Sequence, residues 1–118
     1  MIKILNRYWK IITLINLIII TVLSLCPLTE LPEVGSSDKT HHLLAYCSLT
    51  FSIALIQPEH FKKFIIFFII YGGFIELIQP YFNRYGEFLD FIYNTIGVFI
   101  SLIIGYLFNN YYKKNSNN

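Results

Sequence analysis

The chain has 118 residues, of which 55% are hydrophobic and only 14% charged, and its formal net charge is +2. A soluble domain carries about 25% charged residues, so this chain cannot cover itself with a polar surface, and membrane integration is the economical reading. The small charge, with lysines confined to segment ends, argues against nucleic-acid binding; one domain over 1–118 is expected.

The chain opens on a basic stretch, Met1–Lys10, holding Lys3, Arg7 and Lys10. Tyr8 and Trp9 fit an interfacial aromatic belt. A first apolar helix is expected over 9–27, long enough to cross a bilayer, which takes about 20 residues. A cleaved signal peptide is the rival. The span exceeds the usual apolar core of a signal, no A-x-A-like site follows, and Ser24-Leu25-Cys26 lacks the small residue that a lipoprotein signal wants before its cysteine. The helix is therefore expected to be retained.

Pro27–Ser37 reads as a loop carrying Glu30 and Glu33. A second helix, 38–57, is the least apolar of the set. Ser37 or Asp38 can cap it, and a carboxylate there meets the favourable end of the helix dipole. Glu59, His60, Lys62 and Lys63 form a tight connection, predicting a hairpin of the second and third helices through Pro58–Lys62. The third helix is expected over 61–79, closed by Pro80, and the fourth over 88–108. The tail, 109–118, is rich in Asn, Lys and Ser and reads as disordered. Cys26 and Cys47 make no disulfide framework and read as buried small residues. With no CxxC or HExxH spacing, no metal site and no cofactor are expected.

Charge gives an orientation. Lys3, Arg7, Lys10, Lys62, Lys63, Lys113 and Lys114 fall on one side; Lys39 and Arg84 fall on the other, which accounts for all nine basic residues. The positive-inside rule then puts both termini in the cytoplasm. Six of the seven acids belong to the outer half, Glu59 being the exception. The expectation is an all-α, integral membrane four-helix bundle, multi-pass in a bacterial plasma membrane.

Helical spacing draws the polar residues together. Asp90, Asn94, Gly97, Ser101 and Gly105 share one stripe. Its lower part is a small-xxx-small seam of the kind that lets helices approach closely in lipid, either inside one bundle or in a dimer. Gly72, Glu76 and Gln79 share a face of the third helix. Asp38, His42, Ala45, Leu49 and Ser52 share one on the second, with Tyr46 beside it.

Asp38-Lys39-x-x-His42-x-x-x-Tyr46, then Glu76-x-x-Gln79, Arg84 and Asp90-x-x-x-Asn94-x-x-Gly97, resembles the VanZ-like family of small bacterial membrane proteins, named for a member associated with teicoplanin resistance. The resemblance spans nearly the whole chain. Leu43 departs from it, since an aromatic often follows the histidine there. It implies a cell-envelope protein with an outward polar pocket for a lipid-like or glycopeptide-related ligand.

Two functional forms follow from the residues. In one, the pocket is catalytic toward a phosphate- or acyl-bearing envelope lipid. Glu76 or Asp90 would serve as general acid or base, with His42 sharing the proton traffic. In the other it binds without chemistry. In either, Lys39 and Arg84 would clamp an anionic group, with Asp38, Gln79, Asn94 and Tyr46 as further ligand-binding candidates. A purely structural role is the third reading: Glu76 and Asp90 paired with Arg84 and Lys39, the amides as interhelical glue. Ion transport fits poorly, because no ionisable relay continues through the inner half of the spans.

Overall fold

The computed structural model of the chain describes residues 1–26 and 38–117, residue 38 without its side chain. The expected first loop, 27–37, with Glu30, Glu33 and the capping Ser37, lies outside the described residues, as does the Asp38 side chain. Among the described residues there are four α-helices and no strand: α1 (Ile2–Leu25), α2 (Asp38–Ile56), α3 (Phe61–Ile78) and α4 (Phe88–Ser116), with a 3₁₀ turn at Gln79–Phe82 after α3.

Two boundaries differ from expectation. Helix α1 begins at Ile2 rather than near Trp9. Nothing in Ile2–Tyr8 breaks a helix, so the basic stretch belongs to it. Helix α4 runs on to Ser116 instead of ending near Phe108. Asn109 donates to the Leu55 carbonyl at 3.2 Å, and the rings of Phe108 and Tyr112, one turn apart, stack at 6.4 Å. Lys113 and Lys114 in the last turn also suit the negative end of the helix dipole.

Contacts at the two ends of the bundle fix its direction. Trp9 meets Phe64 edge-on at 5.6 Å, and Asn109 reaches Leu55, so the start of α1, the end of α2, the start of α3 and the end of α4 share one end. Lys39 pairs with Glu87 and Arg84 reaches Leu23 and Cys26, so the opposite termini share the other. Successive helices therefore alternate in direction. The turn between α2 and α3 is short, with Gln57 and His60 in the left-handed region at φ 48° and 63°. Yet α2 packs mainly on α4 rather than on its hairpin neighbour α3.

The seam explains that choice. A Cβ on Gly97 would sit 2.3 Å from the Leu43 carbonyl oxygen, and one on Gly105 would sit 2.4 Å from that of Ala54. Ser101, between them, is fully buried. The small-residue stripe thus packs α4 backbone to backbone on α2, inside the chain. Tyr46, Leu49, Ile53 and Val98 fill the core beside it, with Phe68 and Ile65 from α3 and Ile20 from α1. Helix α1 is tied on by polar contacts: the Thr13 and Ser52 hydroxyls at 3.1 Å, Asn16 to the Ser48 carbonyl, and Thr21 to the Tyr71 hydroxyl.

The exterior is apolar. Ile11, Leu14, Ile18 and Val22 of α1 and Phe99, Ile103 and Leu107 of α4 are all exposed. Two helices, α1 and α4, are long and apolar enough to cross a membrane.

The α2–α4 contact predicts an asymmetry between glycines. Gly97→Ala has no room against a backbone carbonyl and should cost about 1–3 kcal/mol, the range for overpacking. At Gly73 an added Cβ meets only the Phe91 ring at 3.3 Å, and helix propensity favours alanine by about 1 kcal/mol, so Gly73→Ala should be near neutral. Unfolding in detergent micelles with increasing SDS checks both; equal behaviour of the two variants would contradict the packing described.

Candidate functional site: a buried imidazole and its carboxylates

Three helices deliver polar side chains to one point. His42 lies in the second turn of α2, Glu76 in the last turn of α3, and Asp90 and Asn94 in the first two turns of α4. All four are buried, at 8%, 7%, 2% and 1% exposure respectively. The seam places them. Gly97 rests on the carbonyl of Leu43, so Asn94, nearly one turn earlier on α4, faces His42, the neighbour of Leu43.

Asn94 is the junction. His42 Nδ1 lies 2.9 Å from Asn94 Oδ1, and Asn94 Nδ2 donates to Glu76 Oε1 at 3.4 Å. One orientation of the amide serves both neighbours, because the reverse would set its carbonyl oxygen against a carboxylate. Nδ1 of His42 therefore carries a proton and donates to Asn94. The second oxygen of Glu76 accepts from the backbone N–H of Glu87 at 3.3 Å.

Gly86 makes that last bond possible. A Cβ there would stand 2.1 Å from the Glu76 carbonyl oxygen, so the loop before α4 crosses the end of α3 at a distance that no other residue permits. Asn83, left-handed at φ 57°, turns the chain into this crossing, a conformation that asparagine tolerates.

The imidazole stands between two carboxylates. Nδ1 is 3.6 Å from Glu76 Oε1 and Nε2 is 3.6 Å from Asp90 Oδ2. Lys39 reaches in from the rim, 3.5 Å from Glu87 Oε2 and 4.0 Å from Asp90 Oδ1, with its side chain 35% exposed. Glu87, at the rim, was not among the candidates drawn from the sequence. Its signal was position: it stands immediately before α4 and three residues before Asp90.

Tyr46 also belongs to the cluster, but below it. Its ring packs against Gly72, one turn before Glu76, where Asn94 Nδ2 also approaches. Its hydroxyl is buried with no hydrogen-bond partner among the described residues. It is a core residue.

Arg84 and Gln79 stand elsewhere. The Arg84 guanidinium donates through Nη1 to the carbonyls of Leu23 and Cys26 at 2.9 and 3.1 Å, and Gln79 donates to the Ser24 carbonyl at 3.0 Å. The last turn of a helix leaves carbonyls without intrahelical donors, and α1 has no basic residue of its own there. Arg84 and Gln79 supply donors and positive charge to that end. The expected clamp of Lys39 with Arg84 is therefore divided: Lys39 faces carboxylates and Arg84 closes a helix. Cys26 and Cys47 are both half-buried. Cys47 lines an open groove of about 410 Å³ between α1 and α2, with Leu44 and Phe51.

No family model matches this sequence, and no curated protein or solved structure matches it significantly.

Two outcomes test the site's construction. Asn94→Ala removes bonds to two buried partners and should destabilise the bundle by about 1–3 kcal/mol. Glu87→Ala keeps the backbone bond to Glu76 and loses only a surface pair worth about 0–1 kcal/mol. Thermal unfolding of both variants in micelles gives the comparison. Arg84→Gln should release the end of α1 and raise the rate of maleimide labelling at Cys26 while leaving Cys47 unchanged; equal rates in wild type and variant would show that Arg84 does not hold that end.

Proposed function

We propose that this chain is a multi-pass protein of the bacterial plasma membrane, with four spans and both termini in the cytoplasm. On this reading it is a VanZ-like envelope protein whose outward polar cluster engages a lipid-like or glycopeptide-related ligand and contributes to teicoplanin resistance. The observation that carries the proposal is the convergence of His42, Glu76, Asp90 and Asn94 from three helices at one end of an apolar bundle. Ionisable groups buried within membrane helices are rare and are functional candidates by default.

The dimensions agree with four spans. At 19 and 18 residues, α2 and α3 are about 27–29 Å long, close to the roughly 30 Å hydrocarbon core. Their charges sit in terminal turns, where water and headgroups are within reach. The end that holds the cluster carries Lys39 and Arg84, and the other end carries the remaining seven basic residues, as the positive-inside rule requires of an outward-facing site. A headgroup would approach by the rim at Lys39 and Glu87, the most exposed polar part of the cluster.

A second reading is supported by the imidazole held between two carboxylates, an arrangement suited to moving a proton. In it, His42 and Glu76 perform acid/base chemistry on a phosphate- or acyl-bearing envelope lipid.

Expression in a susceptible bacterial host tests both. The wild-type chain should lower teicoplanin sensitivity, and Glu76→Gln and Asp90→Asn should abolish the effect at unchanged membrane accumulation. If both variants accumulate normally and protect like wild type, the cluster has no part in the phenotype. Lipid extracts separate the readings: a species altered by wild type and not by Glu76→Gln indicates turnover, and identical extracts indicate binding alone. In a cysteine-free background, Asn83→Cys should react with an impermeant maleimide on intact cells, and Asn115→Cys only after permeabilisation.

A further inference from the structure

We propose that His42, Glu76 and Asp90 bind one divalent transition-metal ion, with zinc the best match. The site goes beyond the ligand-binding reading and stands or falls without it. One ligand atom from each residue can be chosen so that all three lie within 4.8 Å of one another. Zinc holds nitrogen and oxygen ligands at about 2.0–2.2 Å, which sets tetrahedral ligands about 3.4 Å apart. His42 Nε2 and Asp90 Oδ2, at 3.6 Å, are already near that spacing, and Glu76, whose Oε1 is 3.6 Å from Nδ1 of the same ring, must move toward Nε2 to complete the set.

The surroundings are those of a ligand set. A metal-bound histidine usually donates its other N–H to an oxygen acceptor, which fixes the ring. Here Nδ1–H donates to Asn94 Oδ1, which leaves Nε2, the nitrogen beside Asp90, as the ligand atom. Asn94 Nδ2 and the Glu87 N–H orient the two oxygens of Glu76. Charge agrees: three acidic residues, Glu76, Asp90 and Glu87, face the imidazole and one cation, Lys39, an acidic excess on the described side chains that suits a divalent cation. An imidazole ligand favours zinc and its neighbours in the first transition row over magnesium or calcium, which take oxygen.

A second observation points the same way. The Tyr46 hydroxyl, on a side chain only 1% exposed, has no hydrogen-bond partner among the described residues and stands within electrostatic reach of Glu76. Three protein ligands leave a fourth position for water, and this hydroxyl is a buried polar group suited to bonding such a water. The ligands come from three helices, so no short spacing in the sequence announces them.

The test uses the full chain purified in detergent micelles, stripped with a chelator, reloaded with zinc and desalted. Wild type should retain about one zinc per chain and melt at a higher temperature when loaded. Asp90→Asn and His42→Gln should lose retention, while His60→Gln, at an exposed position, should keep it. Asn94→Ala should weaken zinc affinity by about 10–100-fold, as loss of an outer-shell partner does. Nitrogen-15 spectra of the imidazoles in the His41→Gln, His60→Gln double variant, which leaves His42 alone, give a readout that needs no substitution at the ligands. Zinc should shift the Nε2 resonance. Wild-type retention near zero, an unmoved His42 resonance, or retention at the wild-type level by folded Asp90→Asn and His42→Gln would each overturn the assignment.

Discussion

The structure depends on the absence of two side chains. At Gly97 and Gly105 the backbone of α4 lies against carbonyl oxygens of α2, closer than any Cβ allows. Close backbone approach at small residues, with polar contacts beside it, is a source of helix–helix attraction that does not depend on burying apolar surface. That approach sets the register of the two helices. A change of one residue would rotate Asn94 and Asp90 by about 100° around α4 and take both away from His42. The polar cluster is thus a by-product of the seam: glycine spacing on one helix decides which groups meet at its end.

The cluster also meets the cost of its own burial. Two carboxylates buried at less than a tenth exposure would be expensive alone. Each oxygen of Glu76 accepts a hydrogen bond, the imidazole stands between the acids, and Lys39 approaches Asp90 from the rim. Asn94 serves two of these groups with one side chain. Such closure keeps the site compact, with Lys39 and Glu87 as its more exposed rim.

Much of this was legible in the sequence. Apolar run lengths and their punctuation by proline and charge mark four helices, and the 3.6-residue period picks out the buried stripe of α4 from Asp90 to Gly105. The gathering of Glu76, Asp90, Asn94 and His42 follows from alternating helix direction plus that period. Three things did not follow. Arg84 is cationic and near the acids in sequence, so charge alone paired it with them; which way its long side chain turns depends on the carbonyls at the end of α1, some 58 to 61 residues away. The polarity of the tail suggested disorder, whereas Asn109 and a stacked ring pair carry the helix onward. And the turn at Pro58 suggested that α2 would pack on α3, whereas shape complementarity at glycine outweighed chain proximity.

The closure of α1 has one more consequence. Arg84 and Gln79 bind the oxygens of Leu23, Ser24 and Cys26, atoms that every amino acid possesses. Recognition of that kind is blind to side-chain identity. The last turn of α1 is therefore at liberty to drift in evolution, provided that a helix still ends there, whereas the two residues that grip it are not.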